Sequence, residues 1–153
     1  MNRTVELILA RPADAEPIAV LARDLIETGL GWRWRAPGIR QQILAPESNV
    51  LTARSDSVLA GFGIMHYREE EAHLLLLAVH PRYRRHGLGG RLLAWLEKPA
   101  RVAGIRRIHL EVRAGNTPAR QFYQALGYRE DRRVPNYYNG RETAVYMSRT
   151  LIS

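Results

Sequence analysis

The stretch that decides the fold is Val79-His80-Pro81-Arg82-Tyr83-Arg84-Arg85-His86-Gly87-Leu88-Gly89-Gly90-Arg91-Leu92-Leu93. Just before it, Leu74-Leu75-Leu76-Leu77-Ala78-Val79 is apolar at every position, the pattern of a strand buried on both faces. After it, Leu88, Leu92, Leu93 and Leu96 fall at helical spacing. The segment therefore reads as a buried strand, a basic loop with glycines, and the start of a helix. Unbonded N–H groups at a helix N-terminus attract anions, and the helix dipole adds to that attraction. Glycines let the backbone approach the anion. Arg84, Arg85 and Arg91 can add charge-assisted bonds. The Gly-Lys-Ser/Thr ending of a P-loop is absent. For the glycines alone, a strand-to-helix turn with solvated arginines is the plain alternative.

Working outward, Val5 to Ala10 alternates as a first strand. A helix with Asp14 as N-cap carries Ile18, Leu21, Ala22 and Leu25 and stops near Gly29. A loop with Trp32 and Trp34 leads to a short helix from Pro37 to Leu44. Val50 to Arg54 and Val58 to Tyr67 form a hairpin about Ser55-Asp56-Ser57, and Ala72 to His80 is the next strand. Past the helix from Gly87 to Ala103 come a strand, Arg107 to Arg113, and a helix, Pro118 to Leu126, ended by Gly127. Two last strands, Arg129 to Asp131 and Thr143 to Arg149, flank a turn-rich loop, Pro135 to Gly140. The expected class is α/β: a mixed central sheet of seven strands with helices on both faces.

The chain has 153 residues and no repeat or long linker, so one domain over 1–153 is expected. A hydrophobic fraction of 46% is enough for a sizeable core. The absence of cysteine excludes disulfides, zinc–thiolate sites and a cysteine nucleophile. There is no apolar run of signal-peptide or membrane-spanning length, so a cytoplasmic protein without membrane contact is expected. The five histidines lack metal-ligand spacing, and no metal site is expected. The net charge of +8 is nearly all arginine, with Lys98 the only lysine. It fits an anionic cofactor, a nucleic-acid footprint, or a bare preference for arginine. A nucleic-acid partner is not expected, because interleaved aromatics and a binding motif are missing.

The pattern Val79-x-Pro81 followed by Arg84-x-x-Gly87-x-Gly89 resembles the acetyl-CoA motif of the GNAT N-acetyltransferases. Leu110-Glu111-Val112-Arg113-Ala114-Gly115-Asn116, then a helix with Tyr123 and the ending Gly127-Tyr128, is similar to their second motif. The resemblance is to the RimI type, the ribosomal-protein-alanine N-terminal acetyltransferases, and covers Leu74 to Met147. It implies acetyl-CoA as the acyl donor. The implied diphosphate ligands are Arg84 and the loop Arg85, His86, Gly87, Leu88, Gly89 and Gly90. Leu77, Ala78 and Val79 would hold the pantetheine arm, the Val79 amide would face the developing oxyanion, and Asn116 would touch the cofactor.

The same resemblance makes Glu111 the base and Tyr123 the acid. A tyrosine has an ordinary pKa of about 10, so it carries a proton to donate at neutral pH. Tyr123 also sits at helical spacing with Ala119 and Leu126, as plain core would, and Glu111 alternates with Leu110 and Val112, as a solvated carboxylate would. On the acceptor side, Tyr137 and Tyr138 match a tyrosine pair that holds a peptide N-terminus in the RimI type. Trp32 either lines a pocket there or anchors its loop. The resemblance implies transfer to a primary amine, with a protein or peptide α-amine preferred. The rivals are a small-molecule amine acetyltransferase, a silent acyl-CoA sensor and a nucleic-acid-binding domain. A homodimer is an assembly common in that family.

Overall fold

A computed structural model describes residues 4–84 and 86–151. Seven strands form one sheet: β1 (Glu6–Leu9), β2 (Ser48–Ser55), β3 (Val58–Tyr67), β4 (Glu71–Val79), β5 (Arg107–Arg113), β6 (Arg129–Tyr138) and β7 (Glu142–Thr150). The helices are α1 (Ala15–Leu25), α2 (Ala36–Leu44), α3 (Leu88–Val102) and α4 (Thr117–Ala125). Across the sheet the order is β1-β2-β3-β4-β5-β7-β6. Every neighbouring pair is antiparallel except β4 with β5.

Each face of the sheet has its own core. On one face, Leu88, Leu92, Leu93 and Leu96 of α3 and Tyr123 of α4 pack on Ala72, Leu74, Ile108, Leu110 and Val112. On the other, Ile18, Ala19 and Ala22 of α1 and Ile39 of α2 cover Phe62, Ile64, Leu76 and Ala78. The uninterrupted leucine run belongs to a strand with apolar contacts on both sides. A register shift opposite Ile64 and Met65 leaves Leu75 unpaired with β3. Such a bulge resets the alternation, so Leu74 packs on the α3 face and Leu76 on the α1 face.

Two expectations are corrected. Asp14 does not cap α1; its carboxylate accepts the Arg11 N–H at 2.8 Å and pairs with Arg54. Arg54 on β2 offers a charge partner, which outcompetes the weaker bond to a helix amide. The second concerns β6, expected to end at Asp131 but running to Tyr138, so that Pro135–Tyr138 is strand rather than loop. Pro135 is tolerated because β6 is an edge strand and its missing donor costs no rung. Asn136, at φ 56°, bulges the strand between the pairs Val134↔Ala144 and Tyr138↔Glu142.

The parallel junction positions the site. β4 and β5 pair only at Glu71↔Arg107, Ala72↔Ile108 and His73↔His109. Past those rungs, among the described residues, the strands share no pairing, and a wedge opens between Leu74–Val79 and Leu110–Arg113. The His80 N–H donates to the Ala60 carbonyl at 2.7 Å. Alternation therefore turns the backbone groups of Ala78 toward β3, and those of Leu77 and Val79 toward the wedge.

Candidate active site

One wall of the wedge ends in the anion cradle. A tight turn, Pro81–Tyr83, follows β4 and buries Tyr83. Gly87 adopts φ 73°, a left-handed conformation that glycine takes without strain, and swings the chain into α3. Among the described residues, no side chain caps this helix. Helix geometry leaves the N–H groups of Leu88, Gly89 and Gly90 without intrahelical carbonyls, since the first such bond runs from Arg91 N to Gly87 O. A Cβ at Gly87 or Gly90 would meet nothing within 4 Å, so open space fronts these amides. Gly89 has a different duty: a Cβ there would lie 3.2 Å from the Phe122 ring, so the glycine lets α3 and α4 touch. His86 is exposed beside Gly87. The Arg84 Nε–H donates to the Val79 carbonyl at 3.0 Å, and strand alternation turns the Val79 N–H away from β3, toward the wedge. Arg85 lies outside the described residues. These residues fit an anionic diphosphate with an extended arm: bare amides at one end, and the wedge-facing backbone of Leu77 and Val79 leading away. Ala78 contributes packing instead, its backbone bonded to β3 and its side chain in the core under α1.

The two candidate proton carriers reach the wedge from opposite faces. Leu110 and Val112 enter the core beneath α3 and α4, so Glu111 points to the α1 face. There its Oε2 lies 2.6 Å from His73 Nε2 and its Oε1 3.5 Å from the Tyr137 hydroxyl. His73 stacks on His109 with ring centroids 4.4 Å apart. Tyr137 packs edge-on against both Tyr138 and Tyr146. Burial, helped by Glu111, pushes the Tyr137 hydroxyl up to about 12. Burial also raises Tyr138 above the ordinary tyrosine value, with Glu111 and Tyr137 adding to the effect.

Tyr123 comes from the other face. It is 8% exposed, and its ring packs edge-on against Phe122 and Tyr128. Burial, and then the nearby Tyr138, hold its hydroxyl above the ordinary value, so it carries its proton throughout the neutral range. Asn116 is the N-cap of α4, where its side-chain oxygen accepts the Ala119 N–H at 3.2 Å. One lone pair of that oxygen serves the helix, and the amide NH₂ remains free to donate to a cofactor.

The acceptor side is walled by the α1–α2 connection and the β6–β7 hairpin. Arg113 clamps Glu142 with two bonds of 2.5 and 2.6 Å and donates to the Thr28 carbonyl at 2.7 Å. Asn139, at the hairpin tip, bonds the Leu30 carbonyl. Buried Glu27 accepts the N–H groups of Arg33 and Trp34 at 2.9 and 3.1 Å. The Trp32 indole N–H bonds the carbonyls of Ala19 and Trp34, and Arg23 and Arg35 lie over its ring. Of the two readings of Trp32, the structure carries the anchor: its polar atom and its ring are both in use. Sequence reasoning missed His73, Arg113 and Glu27. Alternation on β5 offered a signal for Arg113, two residues past Glu111 on the same face; nothing local marked the other two.

The acetyltransferase (GNAT) family model matches residues 19–128. This chain belongs to the GNAT family. Among GNAT relatives, the [ribosomal protein bS18]-alanine N-acetyltransferase of Escherichia coli strain K12 is 40% identical over 93 residues. That match covers 59% of this chain and 63% of the relative, less than two thirds of its length. Ard1 from Thermoplasma volcanium superposes with a TM-score of 0.84 at 27% identity, covering 97% of this chain and 99% of that one. The ribosomal-protein-S18-alanine N-acetyltransferase structure from Escherichia coli also superposes at 0.84, with 25% identity over 98% of this chain and 96% of that one. The GNAT fold of this chain is thus the seven-stranded mixed sheet that opens between β4 and β5.

Proposed function

We propose that this chain transfers the acetyl group of acetyl-CoA to a protein or peptide N-terminal α-amine in the cytoplasm. One observation carries the reading. A wedge, edged by the backbone of Leu77 and Val79, lies beside the first turn of α3, with Glu111 on one face, Tyr123 on the other, and Tyr138 in electrostatic reach of both. The relatives named for α-amine acetylation point the same way.

When bound, acetyl-CoA supplies the activated acetyl group. The amides of Leu88, Gly89 and Gly90 hold its diphosphate, and the dipole of α3 favours that charge. The Val79 N–H, turned toward the wedge, would stabilise the charge that develops on the thioester oxygen. An acceptor ammonium must shed two protons as the C–N bond forms and the C–S bond breaks. One passes to Glu111 and on to solvent. The other is balanced at sulfur, where Tyr123 gives its proton to the leaving thiolate and takes one back from the spent amine. Tyr137 and Tyr138 flank the acceptor, and the contacts Arg113–Thr28 and Asn139–Leu30 narrow its access. A narrow mouth suits a free chain end and, equally, a slender small amine.

CoA release from acetyl-CoA across an acceptor panel separates these. The panel holds short peptides with free N-termini, the same peptides blocked but containing lysine, polyamines and aminoglycosides. Turnover confined to free N-termini is expected. Turnover with polyamines or aminoglycosides alone would replace the peptide acceptor with a small amine.

A further inference from the structure

Among the described residues, His73 is the one charged or titratable group that touches the Glu111 carboxylate at full hydrogen-bond distance. The last rung of the parallel ladder pairs His73 with His109. Their rings stack at 4.4 Å and 23°, which fixes the plane of the His73 imidazole. From there Nε2 reaches diagonally to Glu111 Oε2 at 2.6 Å, the length of a charge-assisted bond. An ionised carboxylate offers only lone pairs, so a bond to it takes its hydrogen from Nε2. Both side chains are largely shielded, at 29% exposure for His73 and 16% for Glu111. The other titratable groups about His73 include His66, its cross-strand partner on β3, Glu71 on its own strand, Arg107 and His109 on β5, and Tyr137 on β6. Burial, and then His73, lower the His109 pKa, so the ring stacked under His73 is neutral at pH 7.

We infer that His73 is a positioning residue for acetyl transfer: its Nε2–H engages Oε2 of Glu111 and leaves Oε1, beside Tyr137, as the oxygen that takes the acceptor's proton. His73 keeps its own hydrogen throughout. The acceptor N–H bond breaks, the O–H bond forms on Oε1, and that proton later leaves to solvent. The inference rests on Glu111 being the proton acceptor.

Two variants separate the bond from the stack. His73→Phe keeps a ring over His109 and removes the donor. His73→Gln drops the ring and keeps an N–H near the same point. With acetyl-CoA and a free N-terminal alanine peptide, His73→Phe is expected to lower kcat by about 10- to 100-fold, the rate equivalent of one lost charge-assisted bond. The KM for acetyl-CoA should hold. His73→Gln should keep kcat near wild type. The reverse pattern, with Phe active and Gln impaired, would make His73 a packing residue and overturn the inference. Glu111→Gln is run alongside. If it is inactive while His73→Phe is normal, only the inference fails. If Glu111→Gln is fully active, the base assignment fails and the inference with it.

Discussion

Glu111 and Tyr123 lie on opposite faces of the sheet, which keeps the two proton transfers of the proposed reaction apart. In that proposal the acceptor would meet a carboxylate held between His73 and Tyr137, and the thiol would meet the buried Tyr123 hydroxyl. Tyr123→Phe removes that hydroxyl and keeps the packing on Phe122 and Tyr128. Turnover is expected to fall by roughly 10²-fold or more, the usual effect of a lost acid catalyst, with acetyl-CoA affinity retained. Steady-state kinetics beside calorimetric titration check this, and unchanged turnover would return Tyr123 to the core. Glu111 and Tyr123 were both legible in the sequence, because local motifs carry them. Their opposed faces were half legible: alternation told which way Glu111 turns relative to Leu110 and Val112. What Glu111 meets there was not, since His73 arrives by the register of a parallel ladder that joins distant segments.

Among the elements, α3 and β4 were the most legible, because a continuous apolar run and a helical leucine period mark their own ends. Gly87→Glu puts a side chain at a left-handed φ and a negative charge in front of the cradle amides. Acetyl-CoA binding by calorimetry should disappear; retained affinity would move the diphosphate elsewhere. β3 constrains the same wedge from behind. A Cβ at Gly61 would lie 2.8 Å from the Ala78 carbonyl oxygen, a backbone atom that cannot step aside alone. Gly61→Ala is expected to cost about 1–3 kcal/mol in urea denaturation, the range for overpacking. It should also weaken acetyl-CoA binding by shifting Val79; unchanged stability would show that β3 and β4 can slide. β6 was the least legible element. Pro135, Asn136 and the Asn139-Gly140 pair carry turn signals, and only tertiary pairing with β7 resolves which of them actually turn.

At the scale of the molecule, five tyrosines enter the stability balance: Tyr67, Tyr123 and Tyr128 in the core beneath α3, and Tyr137 and Tyr138 outside both cores. Tyr67 and Tyr137 are raised to about 12 from 10.0, and Tyr123, Tyr128 and Tyr138 are raised as well, in each case mainly by burial. The folded chain then keeps phenolic protons that the unfolded chain gives up. Stability is therefore full below pH 10.0 and falls as pH climbs from there toward about 12. On the acid side, the His109 pKa lies below its ordinary 6.5, so the unfolded chain takes up a proton that the folded one resists. Stability should decline as pH drops below 6.5. Denaturant midpoints across pH, read with phenolate absorbance, check both limbs; a midpoint that stays flat through the alkaline window would mean the tyrosines ionise without opposing the fold. The α/β class, the sheet with helices on both faces and the family were legible from the sequence. The width of the acceptor mouth was not, because Arg113, Glu142, Asn139 and the α1–α2 connection meet only in the folded chain.

The most direct test of α-amine transfer uses a peptide that offers both kinds of amine. A peptide with a free N-terminal alanine and one internal lysine is incubated with acetyl-CoA and the protein, and tandem mass spectrometry locates the new acetyl group. The account predicts acetyl on the alanine nitrogen alone, and its loss with Glu111→Gln. Acetyl on the lysine side chain, or an equal yield from Glu111→Gln, would contradict it.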